Sequence, residues 1–173
     1  MEAFNNSVIH PENLPVIDTK DFTGLARKYL NIIIIRIIFF FLLMSGGLVV
    51  FVVLSEGIPV RIFSIIGGSV ILFIILISFI IAILGFPRKG YLVREQDISF
   101  KKGLIIFKLT TVPFNRIQHV EVNQGVISKL FGLSSVKIYT AGGSYSDLSI
   151  PGLPSNDALR LKAFLSNQIS RHE

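Results

Sequence analysis

Lys101-Lys102, Lys108, Arg116 and Lys129 have the clearest chemistry to offer in this sequence, and that chemistry is anion binding. Ammonium and guanidinium groups meet phosphate oxygens through charge-assisted hydrogen bonds. From Arg88 onward there are twelve Lys or Arg against six Asp or Glu, so the whole formal charge of +6 lies there. Four bases and four acids precede Ile37 and cancel. Covalent chemistry has no comparable set. The sequence holds no HExxH, P-loop, G-x-G-x-x-G or G-x-S-x-G motif. The absence of cysteine excludes disulfides, thiolate catalysis and cysteine metal sites. His10, His119 and His172 lack metal-ligand spacing, and Glu95 and Asp97 flank a turn, where acids are common. No enzyme, metal or cofactor is expected. Nucleic acid is not expected either, because stacking aromatics do not interleave with the charges as single-strand binders require.

A membrane anchor must position these bases. Ile37–Leu54 and Ile62–Phe86 contain no acidic or basic residue. A run of ~18 or more apolar residues spans the ~30 Å hydrocarbon layer as a helix. The link 55–61 is too short to return outside the membrane, so the runs predict a tight transmembrane hairpin. Mean hydropathy of +0.66 and 51% hydrophobic residues agree. The expected organisation is an N-terminal segment 1–31, a hairpin 32–87 and a soluble domain 88–173. Only the last can bury a core, and a modest one. The first run begins far from Met1 and a second span follows, which argues against a cleaved signal.

Positive residues near span ends favour the cytoplasmic side. Lys20, Arg27, Lys28 and Arg36 precede the first span; Arg88, Lys89, Arg94, Lys101 and Lys102 follow the second. The link carries only Arg61, balanced by Glu56. Both termini are therefore expected in the cytoplasm. Arg36 near a span end snorkels to the headgroups, and no ionisable group lies deeper, as a transport role would want. Gly46-Gly47 and Gly67-Gly68 lie at matched distances from Gly57 and are expected to meet at similar depth, letting the helices approach closely. The alternative use of these small residues is an interface for oligomers.

Residues 1–31 read mostly as irregular. Phe22, Leu25, Ala26, Tyr29 and Leu30 recur at helical spacing and suit an amphipathic helix on the membrane surface or an extension of the first span. Asn5-Asn6-Ser7 fits a glycosylation pattern that a cytoplasmic position would leave unused.

After Phe86-Pro87 the composition changes. Tyr91–Arg94, Ile98–Lys101, Leu104–Val112, Ile117–Asn123, Val136–Thr140 and Tyr145–Ile150 read as short strands separated by turn residues. Ala141-Gly142-Gly143-Ser144 reads as a hairpin. A final helix begins near Ser155, a candidate N-cap, with Ala158, Leu161, Leu165 and Ile169 as its apolar stripe. The fold class is an α+β one: a membrane α-hairpin followed by a small curved sheet or partial barrel plugged by a C-terminal helix.

The stretch Val112-Pro113-Phe114-Asn115-Arg116-Ile117-Gln118-His119-Val120-Glu121-Val122-Asn123-Gln124-Gly125 resembles the signature of the YdbS-like family of bacterial membrane-anchored pleckstrin-homology-like proteins. Leu130-Phe131-Gly132-Leu133 and Val136-Lys137-Ile138-Tyr139-Thr140-Ala141-Gly142-Gly143 continue the likeness, which covers about Tyr29 to Ile169. The resemblance implies a pleckstrin-homology-like domain on the cytoplasmic face of the bacterial plasma membrane, without established catalysis. It also implies a frequent partner, a larger membrane protein carrying several copies of the domain.

Within the motif, Pro113 suits a bend where no ladder hydrogen bond is needed. Gly125 and Gly142 suit turns with positive φ, and Gly132 belongs to the same pattern. Ile117, Val120, Val122, Leu130, Phe131 and Leu133 read as core. Arg116 and Gln118 have no core role; they form either a hydrogen-bonded brace at the strand entry or a ligand contact. Two functions stay open. One is a scaffold that assembles with itself or a multi-domain relative; the other is a module that reads anionic lipid headgroups with Lys101, Lys102 and neighbouring bases.

Overall fold

The computed structural model describes residues 21–55, 58–141 and 148–172. The apolar runs form helices α1, Lys28–Leu54, and α2, Ile58–Gly85. Both are long and apolar enough to cross a membrane, with window hydropathies of 2.9 and 3.1. Only 6% and 11% of those windows is buried, so the helices turn apolar side chains outward all round. A core helix of a water-soluble protein would be covered; these need lipid. At 1.5 Å per residue the 27 residues of α1 rise about 40 Å, more than the hydrocarbon needs. The surplus sits at its N-terminal end, where Ile32 is fully buried and Tyr29 packs on the domain core.

The two glycine pairs do not meet. A Cβ at Gly67 would lie 3.3 Å from Cδ1 of Leu48, and one at Gly68 would lie 3.9 Å from its Cδ2. At Gly46 and Gly47 a Cβ would find nothing within 4 Å. One pair is the groove that receives Leu48; the other faces outward. Matched spacing in sequence fixes depth but not rotation about the helix axis.

A 3-10 turn, Phe86–Arg88, leads into β2 (Gly90–Val93), β3 (Asp97–Lys102) and β4 (Lys108–Pro113). A second 3-10 turn, Phe114–Arg116, precedes β5 (Ile117–Asn123). A short helix α3 (Val126–Leu130), then β6 (Leu133–Thr140), β7 (Leu148–Pro154) and α4 (Ser155–His172) complete the domain. The expected curved sheet or partial barrel is built from two open antiparallel sheets. One has the order β1-β2-β3-β4, with β1 the short strand Thr23–Gly24, and the other β5-β6-β7. The chain changes sheets at Pro113, which ends β4 and has no N–H to continue a ladder.

Strand β1, Thr23–Gly24, comes from before the hairpin and pairs with Tyr91 and Gly90. Leu25 then enters the core. Phe22, Leu25, Ala26, Tyr29 and Leu30 are expected in a membrane-surface helix or an extension of the first span; Tyr29 and Leu30 do belong to α1, whereas residues 23–25 complete the domain from the other side of the anchor. The core joins Ile98, Phe100 and Val112 of the first sheet to Val120, Val136, Ile138 and Ile150 of the second. Ala158 and Leu165 of α4 close it, with Leu161 and Ile169 packed alongside, so the predicted stripe is the packing face. Phe114 is buried and meets Phe164 edge to face, with ring centroids 5.8 Å apart.

Several expectations need correction. Leu104 begins no strand: residues 103–107 form the β3–β4 loop, and β4 starts at Lys108. Leu130 is 81% exposed, because single-turn α3 stands outside the sheets; Phe131 is half-buried. Gly125 has φ −73° and starts α3 from extended backbone. Positive φ falls instead to Gly103, Gly132 and Gly152. Gly142 and most of the turn around it lie outside the described residues, as do Asn5-Asn6-Ser7 and Gly57.

Candidate functional site

The five predicted bases do not form one face. Lys102 and Lys108 do come together: they are direct partners across β3 and β4. Like charges placed opposite each other in a ladder are unfavourable, so this pairing is a local cost that an anion would relieve. Lys101 alternates to the other side of the strand, and its ammonium lies 4.4 Å from the centre of the Phe22 ring. Arg116 is at the distant end of the domain, beside Pro113 and Thr140, where it lines a separate cleft of about 470 Å³. Lys129 is on α3.

A third base was missed. Lys89, just past the 3-10 turn after α2, joins Lys102 and Lys108 at one cleft of about 600 Å³. Burial, and secondarily the charge of Lys102, hold the Lys89 ammonium below the usual lysine value. In the sequence Lys89 reads as an ordinary positive-inside residue. Only the return of β3 to the end of α2 gives it a partner.

The rest of the cleft is apolar. Ile33 and Ile37 of α1, with Ile81, Ala82 and Gly85 of α2, form one wall; Gly103, Leu104 and Ile106 form the other. Two contacts fix this wall to the anchor. A Cβ on Gly85 would lie 3.5 Å from that of Leu104, and Arg88 Nη1 donates to the Leu104 carbonyl at 3.2 Å. The site thus combines transmembrane side chains with three lysines at the rim. Among the described residues Arg94 forms an ion pair with Asp97 and His119 Nε2 lies 3.8 Å from Glu121, and neither contact involves these lysines. An apolar channel rimmed by unpaired ammonium groups suits an amphiphile with a negative head and a hydrocarbon tail.

Gln118 is the extra residue of a β-bulge, since Ile117 pairs with Thr140 and His119 with Tyr139. No hydrogen bond joins Arg116 to Gln118 among the described residues, so the expected brace is not formed. The bracing falls to Gln124, which donates to the Leu133 carbonyl at 3.1 Å and to Ser155 Oγ at 2.8 Å. Ser155 Oγ donates in turn to the Gly132 carbonyl at 3.0 Å. His119 stacks on Tyr139 at 4.2 Å, and the Tyr139 hydroxyl donates to Glu121 at 3.0 Å. That bond keeps the phenol protonated above its usual range. It is a half-buried cross-strand cluster joining β5 to β6.

Residues 33–169, covering the helix pair and the domain, match the family model for the bacterial PH domain. The chain is 33% identical over 108 residues to the UPF0699 transmembrane protein YdbS of Bacillus subtilis (strain 168), covering 62% of this chain and 66% of that protein. It is 34% identical over 50 residues to the UPF0699 transmembrane protein YdbT of the same organism, covering 29% of this chain and 10% of that protein. The chain thus spans just under two thirds of the first relative's length and a tenth of the second's. No solved structure matches. Two apolar helices, two open sheets with a closing helix, and a family match across all of them place this transmembrane chain in the bacterial PH domain family.

Proposed function

We propose that this chain is a non-enzymatic module of the bacterial plasma membrane that binds an anionic phospholipid where its helix pair meets its PH-like domain. Both termini lie in the cytoplasm. The observation that carries this reading is the cross-strand pair Lys102–Lys108, with Lys89 beside it, at the mouth of a cleft walled by transmembrane side chains. A headgroup phosphate bridging the lysines offsets their mutual repulsion while an acyl chain fills the apolar part. A base near an anionic leaflet contributes about 1 kcal/mol. Removing Lys102 and Lys108 therefore costs about 2 kcal/mol, roughly a 30-fold loss of affinity.

The test is native mass spectrometry of the full-length protein released from mild detergent with phosphatidylglycerol or phosphatidylcholine added. Retained phosphatidylglycerol, lost in Lys102→Gln/Lys108→Gln but kept in Arg116→Gln/Lys129→Gln, supports the reading. Equal retention of both lipids by both variants overturns it.

A second reading, a scaffold subunit assembling with another copy or a longer relative, draws on the similarity to YdbT, of which the match covers only 10%. A mild-detergent pull-down from the native membrane tests it. A monomer recovered without any other membrane protein counts against it.

A further inference from the structure

We infer that the β3–β4 loop is a third membrane-penetrating element, with Ile105, Ile106 and Phe107 entering the hydrocarbon edge of the leaflet beside the helix pair. These three consecutive apolar residues are 81%, 80% and 63% exposed. In a water-facing hairpin that is an error of patterning, because exposed loop tips favour polar and turn residues. The opposite turn of the same strand, Arg94-Glu95-Gln96, is wholly polar and exposed. The two ends of β3 therefore face different solvents.

The position of the loop says which solvent. It shares its cleft with Ser78, Ile81, Ala82 and Gly85 of α2. Gly85 lies seven positions after Ser78 on the helix, a rise of about 10 Å. The loop thus stands alongside the cytoplasmic end of a membrane span, at a height comparable to the ~5–10 Å to which interfacial segments bury their apolar face. Ala82 and Gly85 of this wall are buried, but Ile81 is 40% exposed on a helix whose apolar side chains hydrocarbon must cover. Lys102 and Lys108 stand at the foot of the loop, one on each strand, where their ammonium groups reach headgroups as the tip goes deeper.

The loop is held in shape. Gly103 takes φ 116°, and the Ile106 carbonyl passes so close that no Cβ would fit there. Leu104 is fixed to Gly85 and Arg88 as described. Three apolar side chains are presented outward on a braced turn, and the occupant that fits them is the bilayer itself. Ile106 also lines the phospholipid cleft, but insertion of this kind depends on apolar burial, not on headgroup charge, and so is distinguishable from phospholipid binding there.

The chain has no cysteine, which allows a clean single-label test. Ile105→Cys, Ile106→Cys and, as control, Glu95→Cys are each coupled to the fluorophore NBD in the full-length protein. All three positions are exposed, so folding is spared. The proteins are placed in phosphatidylethanolamine–phosphatidylglycerol nanodiscs and in phosphatidylcholine nanodiscs. The expected result in both is blue-shifted emission at 105 and 106, quenching by lipids with a nitroxide on the upper acyl chain, and slow reduction by aqueous dithionite. The label at 95 shows none of these. Labels at 105 and 106 that dithionite reduces as fast as the label at 95 overturn the proposal. So does immersion that vanishes in phosphatidylcholine, since hydrocarbon contact needs no headgroup charge.

Discussion

Tyr29 of α1 lies across Gly152 of β7 so closely that a Cβ on Gly152 would stand 2.6 Å from that of Tyr29 and nearer still to its ring. Gly152 has φ 68°, in a bulge where Leu153 pairs with Ser134 but Ile150 pairs with Val136. The Gly152 carbonyl also accepts from Ala26 N at 3.1 Å. Helix α1 therefore runs from the membrane into the domain without a free joint, and the domain's orientation to the bilayer is fixed by packing.

Gly152→Ala loses twice. The left-handed backbone costs a residue with a Cβ about 1–2 kcal/mol, and forcing the Tyr29 ring aside adds about 1–3 kcal/mol. Thermal unfolding of the detergent-solubilised protein is expected to shift down by several degrees. Adding Tyr29→Ala should restore part of the loss, because contacting sites are not additive. Strict additivity would mean that the two do not share the strain.

Helix packing gives an asymmetric pair of variants. Gly67→Leu displaces Leu48 from its groove and is expected to cost about 1–3 kcal/mol. Gly46→Leu points into open space and should change stability by about 0.5 kcal/mol or less. Unfolding midpoints in mild detergent check both; equal losses would return Gly46 to the interface.

Lys89 makes lipid affinity depend on pH. Its ammonium is held below the ordinary value of 10.5 by burial and then by Lys102. The protonated form attracts a phosphate, so affinity is full below the lowered value and falls as pH rises through it. Stability moves the opposite way: the unfolded chain keeps that proton longer, so folding strengthens with pH between the lowered and the ordinary values. Lys89→Arg should abolish both trends, since guanidinium stays charged. Titration of phosphatidylglycerol binding in the two proteins measures the difference, and parallel curves would remove Lys89 from the site.

Topology is checked by single cysteines at Glu95 and Ser55. An impermeant maleimide is expected to label position 55 in intact cells and position 95 only after permeabilisation. Labelling at 95 in intact cells would reverse the orientation and place the lysine cleft outside.

The anchor, the change of composition after Phe86, the strand-rich domain and the stripe of α4 were all legible in the order of the residues. These depend on composition and short-range periodicity, which survive without knowledge of neighbours. Charge counting found the basic domain for the same reason. Which bases lie together was not legible there, because grouping depends on which chain segments return to one place. Antiparallel pairing sets Lys102 against Lys108, and the turn after α2 brings Lys89 to them, while Arg116 goes to the far end and Lys101 to Phe22. Helix rotation, likewise invisible in a glycine spacing, chose Gly67 over Gly46. Leu104–Phe107 shows the limit most plainly. Its apolar run reads as the start of a strand, and only its place beside the C-terminal end of α2 makes it the surface for which we propose a lipid cover.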